Sequence, residues 1–114
     1  ATLGHDVELG PGSIVFPQAS LTCNIRVGRH THVNRGATVG HDCTLGSYVI
    51  LAPLAAVGGN VELGDDVSLG TGSAVIERLR IGPRAIVGAG AAVVDDVAAD
   101  TVVVGVPARP KTAR

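Results

Sequence analysis

An aliphatic residue stands at every sixth position of this chain, without a miss, from Leu3 to Val93. The series runs Leu3, Leu9, Val15, Leu21, Val27, Val33, Val39, Leu45, Leu51, Val57, Leu63, Leu69, Val75, Ile81, Val87 and Val93, and ten of the sixteen are followed directly by glycine. Four residues after all but one of these aliphatics comes a small or β-branched residue, as at Ala37, Cys43, Val49, Ala55, Val61 and Val67; Leu79 is the exception. A fixed period of this kind means stacked units, none of which can bury its apolar face alone. Helix is a poor competitor, because 16 glycines and 6 prolines interrupt any 3.6-residue period. Gly, Pro, Asn and Asp gather between β-branched pairs, so each unit reads as a very short strand and a tight corner.

The natural solution is an all-β fold, a single-stranded parallel β-helix with one hexad per side and three hexads per coil. Coils then stack at about 4.8 Å, hydrogen-bonded as parallel β. Sixteen hexads predict a triangular prism of about five coils. Residues 1–98 are expected to form the β-helix. After them the repeat gives way to Thr101-Val102-Val103-Val104 and Gly105-Val106-Pro107-Ala108-Arg109, so residues 99–114 are expected as a capping strand and tail. Flat apolar faces predict a homotrimer with its prisms side by side. The chain starts at Ala1 with the repeat already running at Leu3, which reads as a piece of something longer.

Composition narrows the function. Hydrophobic residues make up 46% and the mean hydropathy is +0.38, yet no stretch approaches the roughly 20 apolar residues of a spanning helix. A net charge of −1, one Tyr and one Phe argue against a nucleic-acid partner, which wants a basic surface and stacking platforms. Cys23 and Cys43 lie twenty residues apart, a separation out of step with the repeat, so no disulfide is expected. Cys43, in an inward small-residue slot, is expected as a small buried hydrophobe. With no basic-plus-apolar leader, a cytoplasmic location is expected.

Stacking the sequence by 18 gives columns. One corner column reads His5, Cys23, His41, Gly59, Glu77, Asp95, and its neighbour reads Asp6, Asn24, Asp42, Asn60, Arg78, Asp96. His-Asp therefore occurs twice. A corner histidine is ordinarily a solvated polar group, and His5 is read so. His41 differs, because it lies mid-prism and Gly59 stands one coil on, where a ligand can approach bare backbone. An imidazole beside exposed N–H groups is the layout of a general base next to an oxyanion site.

The stretches Val33-Asn34, Val39-Gly40-His41-Asp42-Cys43-Thr44-Leu45-Gly46, Gly58-Gly59-Asn60-Val61-Glu62-Leu63-Gly64 and Gly105-Val106-Pro107-Ala108-Arg109 carry a resemblance. Over residues 9–109 the chain resembles the sialic acid O-acetyltransferase and nucleotide-sugar N-acetyltransferase family of hexapeptide-repeat enzymes. The resemblance implies a left-handed helix, acetyl-CoA as co-substrate, and N-acetylation of a nucleotide-linked amino sugar. O-acetylation of sialic acid or another small acceptor is the alternative. It implies that His41 is the general base, that Asp42 holds the imidazole, and that the Gly59 N–H binds the thioester oxygen. It further implies coenzyme contacts at Ile50, Thr71 and Ala89. The small N-terminal domain with which the family recognises nucleotide sugars has no counterpart in this sequence.

Thr71 and Ala89 fall in the column Pro17, Arg35, Pro53, Thr71, Ala89, on a different corner from His41, and Asn34 sits on that second corner as an acceptor-side candidate. A side of the prism is about 16–20 Å, so the site is expected between subunits. Other readings compete. His5 and His41 lie 36 residues apart, a spacing that suits a γ-carbonic-anhydrase-like zinc enzyme, but the third histidine is missing and no metal is expected. A non-catalytic scaffold would want rows of Thr or inert corners, and the sequence has neither.

Overall fold

The computed structural model describes residues 1–111 of the chain and is all-β. Three parallel sheets form a left-handed β-helix. Face A is six-stranded and comprises Thr2–Leu3, Ser20–Leu21, Thr38–Val39, Ala56–Val57, Ala74–Val75 and Ala92–Val93. Face B carries Val7–Leu9, Ile25–Val27, Thr44–Leu45, Glu62–Leu63 and Arg80–Ile81. Face C carries Ile14–Val15, His32–Val33, Ile50–Leu51, Ser68–Leu69 and Ile86–Val87, then Val102–Val104 and an antiparallel final strand, Arg109–Pro110. Pairing is in register at 18 residues, as in Ala56↔Ala74 and Ser68↔Ile86.

The hexad explains itself at the corners. Every sixth residue from Asp6 to Gly90 has positive φ, between 53° and 76°. The residue before it occupies the first central position of the turn, which favours proline, and Pro11, Pro17, Pro53 and Pro83 stand there. Asn, Asp and Gly suit the left-handed position, but Tyr48, Leu54, Arg78 and Arg84 adopt it too. A left-handed bulky residue costs about 1–2 kcal/mol. What holds it is a ladder in which the left-handed N–H donates to the preceding coil: Asn24 to His5 O (2.9 Å), Asp42 to Cys23 O (3.0 Å), Asn60 to His41 O (2.8 Å) and Arg78 to Gly59 O (2.9 Å).

The aliphatic of each hexad and the small residue four places on point inward. Leu21, Ile25, Val33, Ala37, Val39, Cys43, Val49 and Leu51 are all at most 1% exposed. The core thus has no layer of its own; it is the bore of the prism. At the first coil it lies open, with Leu3 49% and Leu9 38% exposed. Outside, the three faces differ in chemistry. Face A presents Ser20, Thr38, Ala56 and Ala74, face B presents Glu8, Arg26, Thr44, Glu62 and Arg80, and face C presents Ile14, His32, Ile50, Ser68 and Ile86.

The stack is one turn longer than the expected five coils. The hexad pattern is lost after Val93, but the coil continues: Val97 bridges to Ile81 and Val103 pairs with Val87, both buried. These registers are 16 residues, not 18, because the corner between faces A and B is two residues shorter there. Asp95 therefore does not extend the His41 column. Asp96 leaves its column as well, and its carboxylate accepts the Arg80 N–H at 2.8 Å. The segment beyond Val104 closes this end, with Ala92 N–H donating to Gly105 O and Ala108 N–H to Ala92 O. Residues 112–114 of the expected tail lie outside the described residues.

Candidate active site

The corner between faces A and B brings His41, Asp42 and Gly59 together. His41 Nδ1 lies 2.8 Å from Asp42 Oδ2. The other carboxylate oxygen, Oδ1, accepts the side-chain amide of Asn24 from the preceding coil. The hydrogen bonds from His41 and then Asn24 hold the Asp42 carboxyl below the usual carboxylate range. An ionised carboxylate only accepts, so in the neutral ring Nδ1 carries the proton and Nε2 keeps its lone pair.

That nitrogen faces Gly59. A Cβ on Gly59 would stand 2.6 Å from Nε2 and 2.8 Å from Cε1, so the ring occupies the space a side chain would need. Two further glycines let the coils close up beneath it. A Cβ on Gly40 would lie 2.7 Å from Gly59 N, and one on Gly58 2.8 Å from Glu77 N. Each of these contacts is far inside ordinary van der Waals separation.

The free donors are set by the corner geometry. At the first central position of each turn the N–H points away from the ladder. Along the corner between faces B and C all but one of these donors are silenced: Pro11 and Pro83 have none, Arg29 N–H donates to Ser47 Oγ and Ser47 N–H to Asp65 Oδ1, while Asp65 N–H lacks an acceptor among the described residues. Along the corner between C and A, Pro17 and Pro53 have none, while Arg35, Thr71 and Ala89 keep theirs free among the described residues. Along the His41 corner no proline stands between His5 and Glu77, and the N–H groups of Cys23, His41, Gly59 and Glu77 all lack an acceptor among the described residues. This edge alone joins a supported imidazole to a run of unclaimed donors.

The second His-Asp pair is built differently. Asp6 is held by Arg26, whose Nη2 contacts both carboxylate oxygens at 3.1 and 3.0 Å. The His5 imidazole has no hydrogen-bond partner among the described residues, its backbone carbonyl alone accepting the Asn24 N–H. The expected small buried role of Cys43 is met. It is 1% exposed, donates to Gly58 O at 3.1 Å, and burial pushes its thiol up. Both cysteines are free. Among the described residues no cluster of three metal-ligating side chains occurs, and none forms a helix long and apolar enough to cross a membrane.

The remaining site candidates lie elsewhere on the prism. Thr71 and Ala89 are exposed on the corner between C and A, beside Gly72 and Gly90, where no atom lies within 4 Å of a would-be Cβ. Ile50 is exposed on face C, beside a shallow groove with His30, His32, Tyr48 and Asp66. Asn34 is half-buried at the C–A corner, and its amide donates to Leu51 O at 3.0 Å. One chain thus does not bring His41 to these residues, since a face of the prism separates them. Asn24 was missed by the sequence reading as a site residue, although its place 18 residues before Asp42 is the signal that finds it.

Neither a protein-family model nor a curated protein matches the chain. Solved structures do. WeeI from Acinetobacter baumannii AYE is 41% identical with a TM-score of 0.94, over 96% of this chain and 54% of that one. The acetyltransferase domain of PglB from Neisseria gonorrhoeae FA1090 is 33% identical with a TM-score of 0.95, again over 96% and 54%. PerB from Caulobacter crescentus, in complex with CoA and GDP-perosamine, is 31% identical with a TM-score of 0.83, over 97% and 58%. The chain therefore spans a little over half the length of these relatives. Their fold and sequence bear out the resemblance to hexapeptide-repeat sugar acetyltransferases.

Proposed function

We propose that this chain, a β-helix of the hexapeptide-repeat sugar acetyltransferase kind, transfers the acetyl group of acetyl-CoA to the amine of a nucleotide-linked sugar. The observation that carries the reading is the His41 imidazole, oriented by Asp42 and lying over the bare backbone of Gly59. The acceptor nitrogen attacks the thioester carbonyl carbon and gives its proton to His41 Nε2. Negative charge builds on the carbonyl oxygen, which the Gly59 N–H takes up. The C–S bond breaks, the amide forms, and the proton passes from Nε2 to the leaving thiolate. Asp42 steadies the imidazolium between those two proton transfers. A hydroxyl acceptor uses the same base, so O-acetylation of sialic acid or a similar small acceptor is the second reading. GDP-perosamine bound to PerB favours the amino sugar.

The site is completed by a second copy. Thr71 and Ala89 hold the coenzyme on the C–A corner, with Ile50 beside it on face C, and Asn34 faces the acceptor. Only one side-by-side threefold packing opposes the A–B corner of one prism to the C–A corner of the next at an open rim. Face B of one subunit meets face C of its neighbour, and the B–C edge turns to the axis. The exposed Ile14, Ile50 and Ile86 on face C, each 45–46% exposed, support burial there in a homotrimer. Residues 1–98 carry the chemistry, and the segment from residue 99 to residue 111 closes the end. Two free cysteines fit a reducing, cytoplasmic setting.

The test is thiol release from acetyl-CoA with a panel of nucleotide-linked amino sugars and sialic acid. His41→Ala is expected to lower kcat by about 100- to 10,000-fold. Mixing His41→Ala with Thr71→Trp chains is expected to restore part of the activity. Turnover unaffected by His41→Ala removes the base, and no recovery in the mixture removes the shared site.

A further inference from the structure

The same dipeptide, His-Asp, occurs at the same corner of two coils, and only one copy forms a dyad. The difference lies one coil away, in what holds the carboxylate. Asp6 is gripped by Arg26 through both oxygens, with Arg26 Nε also 3.4 Å from Glu8. Asp42 is held on Oδ1 by the Asn24 amide, which leaves Oδ2 to accept from His41. The two anchors act differently on charge. A guanidinium neutralises the carboxylate it orients, whereas a neutral amide fixes the plane of the carboxylate and leaves its charge for the imidazole.

Asn24 is itself locked by the fold. Its φ is 56°, its N–H donates to His5 O at 2.9 Å, and the next coil ties back through Asp42 N–H to Cys23 O. Its amide thus reaches Asp42 from a backbone braced on both sides. An exposed aspartate without such a contact rotates about its terminal torsion and exchanges its oxygens. We propose that Asn24 is a positioning residue for acetyl transfer: by pinning Oδ1 of Asp42 it fixes Oδ2 on His41 Nδ1 and thereby keeps Nε2 aimed over Gly59. The inference rests on the reading of His41 as the general base.

The test uses Asn24→Gly, which removes the amide and suits the left-handed backbone, and Asn24→Asp, which keeps the shape but turns the donor into an acceptor. Nitrogen chemical shifts of the His41 imidazole report its tautomer in each protein, with His5, His30 and His32 as internal controls. In the parent the Nδ1–H tautomer is expected to dominate, and in both variants to give way to a mixture. In parallel, kcat is expected to fall about tenfold with KM for acetyl-CoA unchanged, and Asn24→Gly to have no further effect in a His41→Ala background. An unchanged tautomer in both variants overturns the proposal, as does a shifted tautomer with unchanged kcat. If the parent transfers no acetyl group at all, the functional reading fails, while the tautomer still decides whether Asn24 positions His41.

Discussion

Gly59→Ala separates the placement of the imidazole from the stability of the fold. Gly59 is not among the residues with positive φ, so alanine fits its backbone. The new Cβ meets no backbone atom among its nearest neighbours, only His41 Nε2 at 2.6 Å, Cε1 at 2.8 Å and Cδ2 at 3.0 Å. Ordinary contact needs about 3.5 Å, so the ring must retreat by nearly 1 Å or swing off Asp42. The Gly59 N–H is untouched, and the loss falls on the base alone. A misplacement of about 1 Å costs on the order of 100-fold, so kcat is expected to drop by roughly 30- to 300-fold. Stability should move the other way. His41 is exposed, so a displaced ring yields into solvent rather than into the core, and replacing Gly by Ala at a compatible backbone adds about 0.4–1 kcal/mol by restricting the unfolded chain. The assay pairs steady-state thiol release with thermal melting of the same sample. Undiminished kcat would falsify the placement of Nε2 over Gly59, and a melting temperature far below the parent would mean the corner is not built as described.

Gly58→Ala, one residue earlier, is expected to do the opposite. Its Cβ would meet Glu77 N at 2.8 Å and Glu77 Cα and Ile76 C at 3.1 Å, all backbone of the next coil. The coils must part, at about 1–3 kcal/mol, which lowers Tm by roughly 5–15 °C in a melt followed by circular dichroism. An unshifted Tm would show that the coils are less closely set. The Arg84–Asp100 pair supplies a pH test. Its two contacts, at 2.6 and 3.1 Å, pull the Asp100 carboxyl below the ordinary carboxylate range. A lowered folded pKa gives stability that is present above the unfolded value of about 3.9 and lost as pH falls through the folded one. The Tm of Asp100→Asn is therefore expected to lie slightly below the parent at neutral pH and to converge on it in acid. Parallel curves would exclude the linkage.

The bore of the prism could be read directly, because a side chain either points into it or not, and six residues return the same answer each time. Leu21 through Val93 needed no three-dimensional information. The left-handed residues were half legible. Asn24, Asp42 and Asn60 announce themselves, whereas Tyr48, Leu54, Arg78 and Arg84 adopt the same backbone only because the ladder from the coil before holds them. The last turn was misread for a related reason. Val97 and Val103 keep their place in the bore by losing two residues from a corner, a change that breaks the count without breaking the packing. At the site, the columns brought His41 to Gly59, but columns give no side-chain torsions. That the carboxylate of Asp42 turns to His41 while that of Asp6 turns to Arg26 depends on residues in other coils. Asn24 escaped notice because an asparagine at a left-handed corner already has a sufficient reason to be there.

The two missing residues of the final turn bear on how such a chain can vary. Along most of its length each residue rests on the one 18 positions away, so the effects of paired substitutions should correlate at that separation. Beyond Ile81 the same correlation should appear at 16. A single insertion in mid-prism would shift the contacts of every coil downstream of it onto the wrong face, whereas one at the last described turn would leave all the earlier coils in register. A change of length is thus something the last described turn can absorb and the coils before it cannot.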